Sequence, residues 1–411
     1  MTHLLLPSAR PPHAELFLKL ALASGIMVAC LEIGYLLRSP LPYDPIGYMV
    51  GRDFANSWLG GRLALSGDPG AHFGFLAYNA ALKEVFGPDY PTHIWSYPPH
   101  FLLLTWPLAL MPYVTAYVVY TLLGLGLYLA VVSDGERRAD HLLLLALAPC
   151  TIVNIWCGQV GFLVAALLVG GLLQLERRPI LAGVLFGLLT IKPHLGLLIP
   201  LMLVLTRRWR TIAAAIVTVL LLILVTTLAF GSKVWIAYVN DAMPVQSAFL
   251  LRPVEHWMMH VPTAFMNVRI AGLPVAAAIV AQGLLSAAAI AGVVWTFWRR
   301  RDPVLSNALL ITAIFAATPY AFNYDMVVFG FVVITLIRRI DNEPLDYWLL
   351  LAVWTVPFLT VPVGMAGIPA SCLPIAALGG RLLWRLRKTS DVSATGNNAG
   401  HRIDQVPLAI G

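Results

Sequence analysis

AGVLFGLLTIKPHLGLLIPLMLVLTRRWR, residues 182–210, decides the fold class. Two apolar runs, 180–190 and 195–206, flank a polar knot, TIKPH at 190–194, and a basic cluster of Arg207, Arg208 and Arg210 closes the stretch. Pro193 has no backbone donor and disfavours helix in the residue before it, so the run breaks there. Neither half alone reaches the roughly 17–25 residues of a spanning helix. Broken helices at a polar knot leave backbone groups that protein or water must satisfy, so such segments line cavities. A lysine at such a break is costly if it faces lipid. Lys192 therefore either snorkels to the interface or holds an anion, and His194 lies close enough to assist.

The same grammar recurs along the 411 residues. Runs at 16–37, 113–133, 141–157, 160–175, 211–230, 271–297, 304–318, 326–337, 347–363 and 368–384 join the two above to give about twelve segments, and 99–110 reads as a further half-helix or re-entrant piece. A second knot, TPYAFNYD at 318–325, interrupts the pair 304–318 and 326–337 and brings Asn323, Tyr324 and Asp325 to one membrane face. Asp325 either pairs with Lys192 or an arginine, as structure, or joins a site. Hydrophobic residues make up 59% and charged residues 11%, with mean hydropathy +0.80. A soluble domain carries about 25% charged residues, and so few charges cannot cover the surface of a globular enzyme. The fold class is an all-α polytopic membrane protein.

The net charge is +7, but the basic residues sit in short clusters between apolar runs, so they set orientation rather than bind nucleic acid. With a cytoplasmic N-terminus and every run crossing, 19 of the 27 Lys and Arg fall inside. The chain then reads as a multi-pass inner-membrane protein with both termini cytoplasmic. Residues 1–388 form one transmembrane domain, and 389–411 a disordered cytoplasmic tail. Cys30, Cys150, Cys157 and Cys372 lie in apolar stretches and read as small hydrophobes.

Cytoplasmic loops are short, so any chemistry belongs on the periplasmic face, in the long loops 38–98 and 231–268. From Asp53 the first loop turns helical, with Phe54, Trp58, Gly61 and Leu65 on one face, which predicts an amphipathic helix lying at the membrane surface. Asp53 is either its N-cap or a general base at the mouth of a cavity. Tyr97-Pro98-Pro99 makes a rigid entry to 99–110, and Gln159 sits between two spans, where its amide bonds either loop backbone or a sugar hydroxyl. Arg252, His256 and His260 stand in the second loop; the histidines are spaced i, i+4, but no HExxH and no nearby carboxylate ligand set supports a metal. No phosphate-binding glycine loop, dinucleotide fingerprint or nucleophile elbow is present, and no cofactor is expected.

An early outer aspartate, a lysine at bilayer depth and several aromatics suit group transfer from a lipid-borne phosphate, whose phosphate needs a cation and whose acceptor needs a base. In order along the chain, Arg52-Asp53-Phe54, Tyr97-Pro98-Pro99, Gly158-Gln159 and the segment 182–210 resemble glycosyltransferase family 87, the polyprenyl-phosphate-mannose-dependent enzymes of the GT-C superfamily, over about 16–340. The resemblance implies a GT-C fold and inverting transfer of a hexose, mannose first, from a polyprenyl-phosphate sugar to a glycolipid or glycan acceptor. It makes Asp53 the base and Lys192 a phosphate contact, with His194, Arg252, Gln159, Tyr97, Asn323, Tyr324, Asp325 and His256 as further candidates. The second knot departs from the family's Ser-Pro followed by Trp and His. Two other readings stand beside it: a multi-span transporter or flippase, and a polysaccharide ligase or polymerase fed by a lipid pyrophosphate.

Overall fold

The computed structural model describes residues 12–133, 139–299, 301–339 and 342–400. The expected basic positions Arg10, Arg137, Arg138, Arg300 and Arg402, and the tail beyond 400, lie outside them. The last helix, Leu373–Gly400, runs past the point where the sequence reading begins the tail. Among the described residues the chain is helical with no strand, so its backbone polar groups are met mainly within helices, as a bilayer demands.

Five helices are long and apolar enough to span: Pro12–Leu36, Tyr113–Val132, Trp209–Phe230, Val275–Trp298 and Pro344–Met365. A bent pair, Asp140–Ala146 with Pro149–Cys157, makes a sixth, turning by 46°. Where the sequence predicts about twelve segments, the others are helices of 10–17 residues. The reason lies in the breaks, because several runs are halves that meet at a knot. Thus Pro179–Leu188 reaches Ile199–Leu205 through two short 3-10 turns around Lys192, and Pro303–Ala317 reaches Phe329–Ile337 through the turn Asn323–Val328.

Burial sorts these helices. Gly161–Gln174, Pro303–Ala317 and Phe329–Ile337 are buried along nearly their whole length. Trp209–Phe230 buries only Thr211 and Thr226 and leaves Leu220, Leu221, Leu224 and Leu228 exposed. An apolar ring around an apolar centre is the pattern of a bundle solvated by lipid. The chain is a multi-pass membrane protein. Close approach inside it uses small residues: a Cβ on Gly183 would meet Thr211 O at 2.4 Å, and one on Gly187 would meet Thr218 Cβ at 2.6 Å. This Gly-x3-Gly face seats the broken half-helix against Trp209–Phe230.

One expectation is corrected here. The helix Phe54–Leu65 is not a surface helix: ten of its 12 residues, Asn56 and Ser57 included, are buried. Gly60 lies under the Trp95 ring, where a Cβ would stand 2.3 Å away, and Gly61 meets Thr105 O at the same distance. Both glycines are close-packing positions inside the fold. The piece at 99–110 folds as three short helical segments beside it.

Candidate functional site

The site is built on a left-handed turn. Gly158 ends the helix Pro149–Cys157 with φ 60° and ψ 32°. A Cβ there would meet Gly51 O at 2.2 Å and Phe54 Cβ at 2.7 Å, so only glycine lets the first outer loop lie against this turn. Asp53 N then donates to Cys157 O at 3.0 Å. That contact sets Asp53 beside Gln159, across 106 residues of chain.

Asp53 occupies the N-cap position of Phe54–Leu65, yet its side chain makes no capping bond. Its Oδ2 instead accepts from Gln159 Nε2 at 2.8 Å, and the carboxylate is 29% exposed. Gln159 Oε1 accepts from the Tyr97 hydroxyl at 2.6 Å and from Lys192 Nζ at 3.4 Å. Burial holds the Tyr97 phenol well above its ordinary range, so it remains a donor. These partners fix the amide's orientation, since a carboxylate only accepts and an ammonium only donates. Lys192 Nζ also donates to Asp325 Oδ1 at 2.6 Å, and Asp325 Oδ2 accepts from Phe322 N at 3.1 Å. The two knots are thus joined by an ion pair whose side chains are 8% and 0% exposed. Tyr324 lies under the lysine, its ring centroid 4.8 Å from Nζ.

On its other side Asp53 Oδ1 stands 3.6 Å from His93 Nδ1. Asn56 accepts from the Tyr78 hydroxyl through Oδ1 at 2.7 Å, so its Nδ2 donates to His93 Nδ1 at 3.3 Å. The lone pair of Nδ1 therefore faces this corner. Burial pushes the His93 imidazole below its ordinary value, against the pull of the Asp53 charge, which keeps the ring neutral.

Two clefts flank this constellation. The smaller, about 80 Å³, is lined by Tyr97, Gln159, Lys192, His194, Tyr320, Tyr324 and Asp325, with Tyr238 and Gln246 from the second outer loop. His194 packs edge-on against Tyr320, with ring centroids 5.5 Å apart. The larger, about 420 Å³, is lined by Glu32, Tyr35, Arg52, Trp156, His256, His260 and Asn323, with apolar walls from two spans. Burial holds His260 at about 4, well below the ordinary imidazole range, while Asn323 Oδ1 stands 3.4 Å from its Nδ1.

The sequence candidates therefore divide. Gln159, Tyr97, Lys192, Asp325, Tyr324 and His194 line the smaller cleft, and Asp53, which lines neither cleft, joins them through Gln159. Asn323 and His256 belong to the larger cleft. Arg252 lines neither cleft: its guanidinium lies over Phe249 at 4.6 Å and Phe75 at 5.7 Å, because the second loop folds back onto the first. Sequence reasoning passes over His93, Asn56 and Tyr78, which reach Asp53 through the loop fold and carry no local signal. Arg52 had one, its place beside Asp53. Among the described residues, no group of three or more His, Cys, Asp or Glu is placed to hold a metal ion.

Residues 95–319 match the model of glycosyltransferase family 87, a span of more than half the chain that holds both knots' first residues and Gln159. No curated protein and no solved structure matches the chain.

Proposed function

On the premise that the chain belongs to glycosyltransferase family 87, we propose that it moves a hexose, mannose in the first instance, from a polyprenyl-phosphate donor to a hydroxyl of a glycolipid or glycan at the periplasmic face of the inner membrane. Transfer inverts the anomeric carbon, and the fold is of GT-C type with the short broken helices completing about twelve crossings. Asp53 takes the proton of the acceptor hydroxyl as its oxygen attacks the anomeric carbon. The bond from that carbon to the phosphate oxygen breaks, and the lipid monophosphate leaves with the electron pair.

One observation carries this reading: Asp53 stands at a helix start but caps nothing, and its carboxylate is partly exposed and held by Gln159, which lines the smaller cleft. A structural aspartate would spend its oxygens on the helix N–H groups. Lys192 contributes by orienting Gln159 and keeps one of its three N–H groups for a ligand in the smaller cleft. Tyr97, Tyr238, Gln246 and His194 give that cleft the mixed donors, acceptors and ring faces that sugars use.

The test is transfer from synthetic polyprenyl-phosphate hexoses by the purified chain in nanodiscs. Asp53→Asn keeps the shape and removes the base, so the rate is expected to fall by roughly 10²–10⁴. Survival within a few-fold removes Asp53 from the role. A pyrophosphate-linked donor serves as the second arm, and preference for it favours a polymerase or ligase.

A further inference from the structure

Arg207 ends the half-helix Ile199–Leu205 in a left-handed conformation, φ 57°. Its N–H donates to Val204 O at 3.0 Å and that of Arg208 to Leu203 O at 2.9 Å, a turn that reverses the chain into Trp209–Phe230. Arg207, Arg208 and Arg210 therefore stand at the start of that helix, and Arg177 and Arg178 at the start of Pro179–Leu188. The two helices run parallel, because Gly183 meets Thr211 and Gly187 meets Thr218. Both starts thus share one end of the bundle. Arg178 and Lys192 bracket the half-helix between them, so the arginine cluster lies at the opposite end of it from the Asp53 network.

Pairing sets this cluster apart from other basic positions. Arg339 pairs with Asp302, Arg381 with Glu343 and Asp346, Arg385 with Asp346 and Lys388 with Glu343. Here Glu176 pairs with Arg208, while among the described residues Arg177, Arg178, Arg207 and Arg210 make no ion pair and are exposed. Trp209, 60% exposed, lies among them, and tryptophan favours the headgroup level of a bilayer. Orientation in the membrane accounts for basic residues at such an end. It does not account for the cavity that opens beside them.

That cavity is a groove of about 570 Å³, larger than either cleft at the Asp53 site. Leu203, whose carbonyl holds the Arg208 N–H, and Ile212 line its near end. Thr190 and Pro193 line its far end, against the knot. Phe186 and Leu203 are buried in its floor, whereas Ile216 and Leu220 on its rim are 55% and 59% exposed, so it opens towards lipid. From Ile212 to Leu220 it follows about 12 Å of helix, close to half of the roughly 30 Å hydrocarbon core. Among the described residues no charged side chain lines it, and the Thr190 hydroxyl at the far end already donates to Gly187 O at 2.6 Å.

We infer that the groove and the arginine cluster form one binding site for an anionic diacyl phospholipid, its phosphate on the arginines and an acyl chain in the groove. Guanidinium forks suit the oxygens of a phosphodiester, and unpaired ones at the membrane surface supply the charge that a zwitterionic lipid does not need. The direction of the site excludes the proposed sugar carrier. A carrier whose head lay by Asp53 would bring its phosphate to the far end of the groove, where no cation stands. A lipid headed at the arginines instead runs its chain down to Pro193 and Gly196, and so packs the lipid side of the broken half-helix that carries Lys192. The inference does not depend on which sugar is moved or from what.

The test is native mass spectrometry of the full chain in detergent, titrated with phosphatidylglycerol and phosphatidylcholine of identical acyl chains. Phosphatidylglycerol is expected to be held about tenfold or more tightly. Arg207→Gln with Arg210→Gln should bring it to within about threefold of phosphatidylcholine. Ile216→Trp fills the groove without touching an arginine and should weaken retention of both lipids roughly tenfold, while Leu224→Trp, an equally exposed position outside the groove, should leave both within about threefold of the wild-type chain. Equal retention of the two lipids by the wild-type chain overturns the inference. So does an unchanged preference in the arginine variant, or the same effect from Ile216→Trp and Leu224→Trp. Displacement of phosphatidylglycerol by an equal concentration of polyprenyl monophosphate also overturns it and gives the groove to the carrier's tail.

Discussion

Gln159 joins Asp53 to Lys192, one end of its amide on each. Replacing it with leucine keeps much of the volume and removes these bonds together with the one from the Tyr97 hydroxyl. If Asp53 is the base as proposed, Gln159→Leu is expected to lower kcat about tenfold or more, with KM little changed, since the loss falls on its orientation. Steady-state kinetics on folded protein decides, and an unchanged kcat makes the amide a loop support only. Lys192 and Asp325 behave differently because they are buried together. Lys192→Met strands a carboxylate that is 0% exposed and should destabilise the fold by about 3–5 kcal/mol. Adding Asp325→Leu should restore much of the melting temperature and none of the activity; a double variant with full turnover refutes the lysine's part. The sequence offered this pair as one alternative, because both residues sit in knots where polar groups need partners. It offered no sign of Gln159 meeting Asp53, since that contact is made by two loops distant in sequence.

Among the elements, the turn at Gly158 has the largest effect for its size. Gly158→Ala puts a methyl group 2.2 Å from Gly51 O and forces a positive φ on alanine. The loop must move away, carrying Asp53 with it. Activity should drop at least about tenfold and the melting temperature should fall, while Gly67→Ala, at a positive φ with open space around it, should cost stability alone. Equal kinetic effects from the two would mean that backbone strain, and not loop docking, is being measured. Both knots were legible because hydropathy breaks at proline and charge. Burial of Phe54–Leu65 was not, because a stripe of small polar residues beside aromatics has the same pattern whether it faces a membrane or another helix. The place of Arg252 over Phe249 was not legible for a related reason: a long loop's composition says it is outside, and only the tertiary fold says what it covers.

At the scale of the whole molecule, the exposed leucines of Trp209–Phe230 and the buried centre describe a bundle in lipid. The basic clusters then predict which end faces the cytoplasm. In a chain whose four cysteines are replaced, Lys233→Cys should react with a membrane-impermeant maleimide on intact cells and Arg177→Cys only after lysis; both positions are exposed. The reverse pattern would put the clefts on the cytoplasmic side and remove the periplasmic acceptor. Residues near the last clusters are tied down: Arg381 bonds Glu343 and Asp346 at 2.8 and 2.7 Å, which fastens Leu373–Gly400 to Pro344–Met365.

The fixed amide of Gln159 has a sequel for turnover. In the proposed reaction Gln159 N–H stays on Oδ2 of Asp53, which leaves Oδ1 the freer oxygen to take the acceptor's proton. That atom stands 3.6 Å from His93 Nδ1, whose lone pair already accepts from Asn56 Nδ2. A proton so taken by Asp53, whose side chain is 29% exposed, would leave directly to water, because the His93 ring is buried and its Nε2 meets no partner among the described residues.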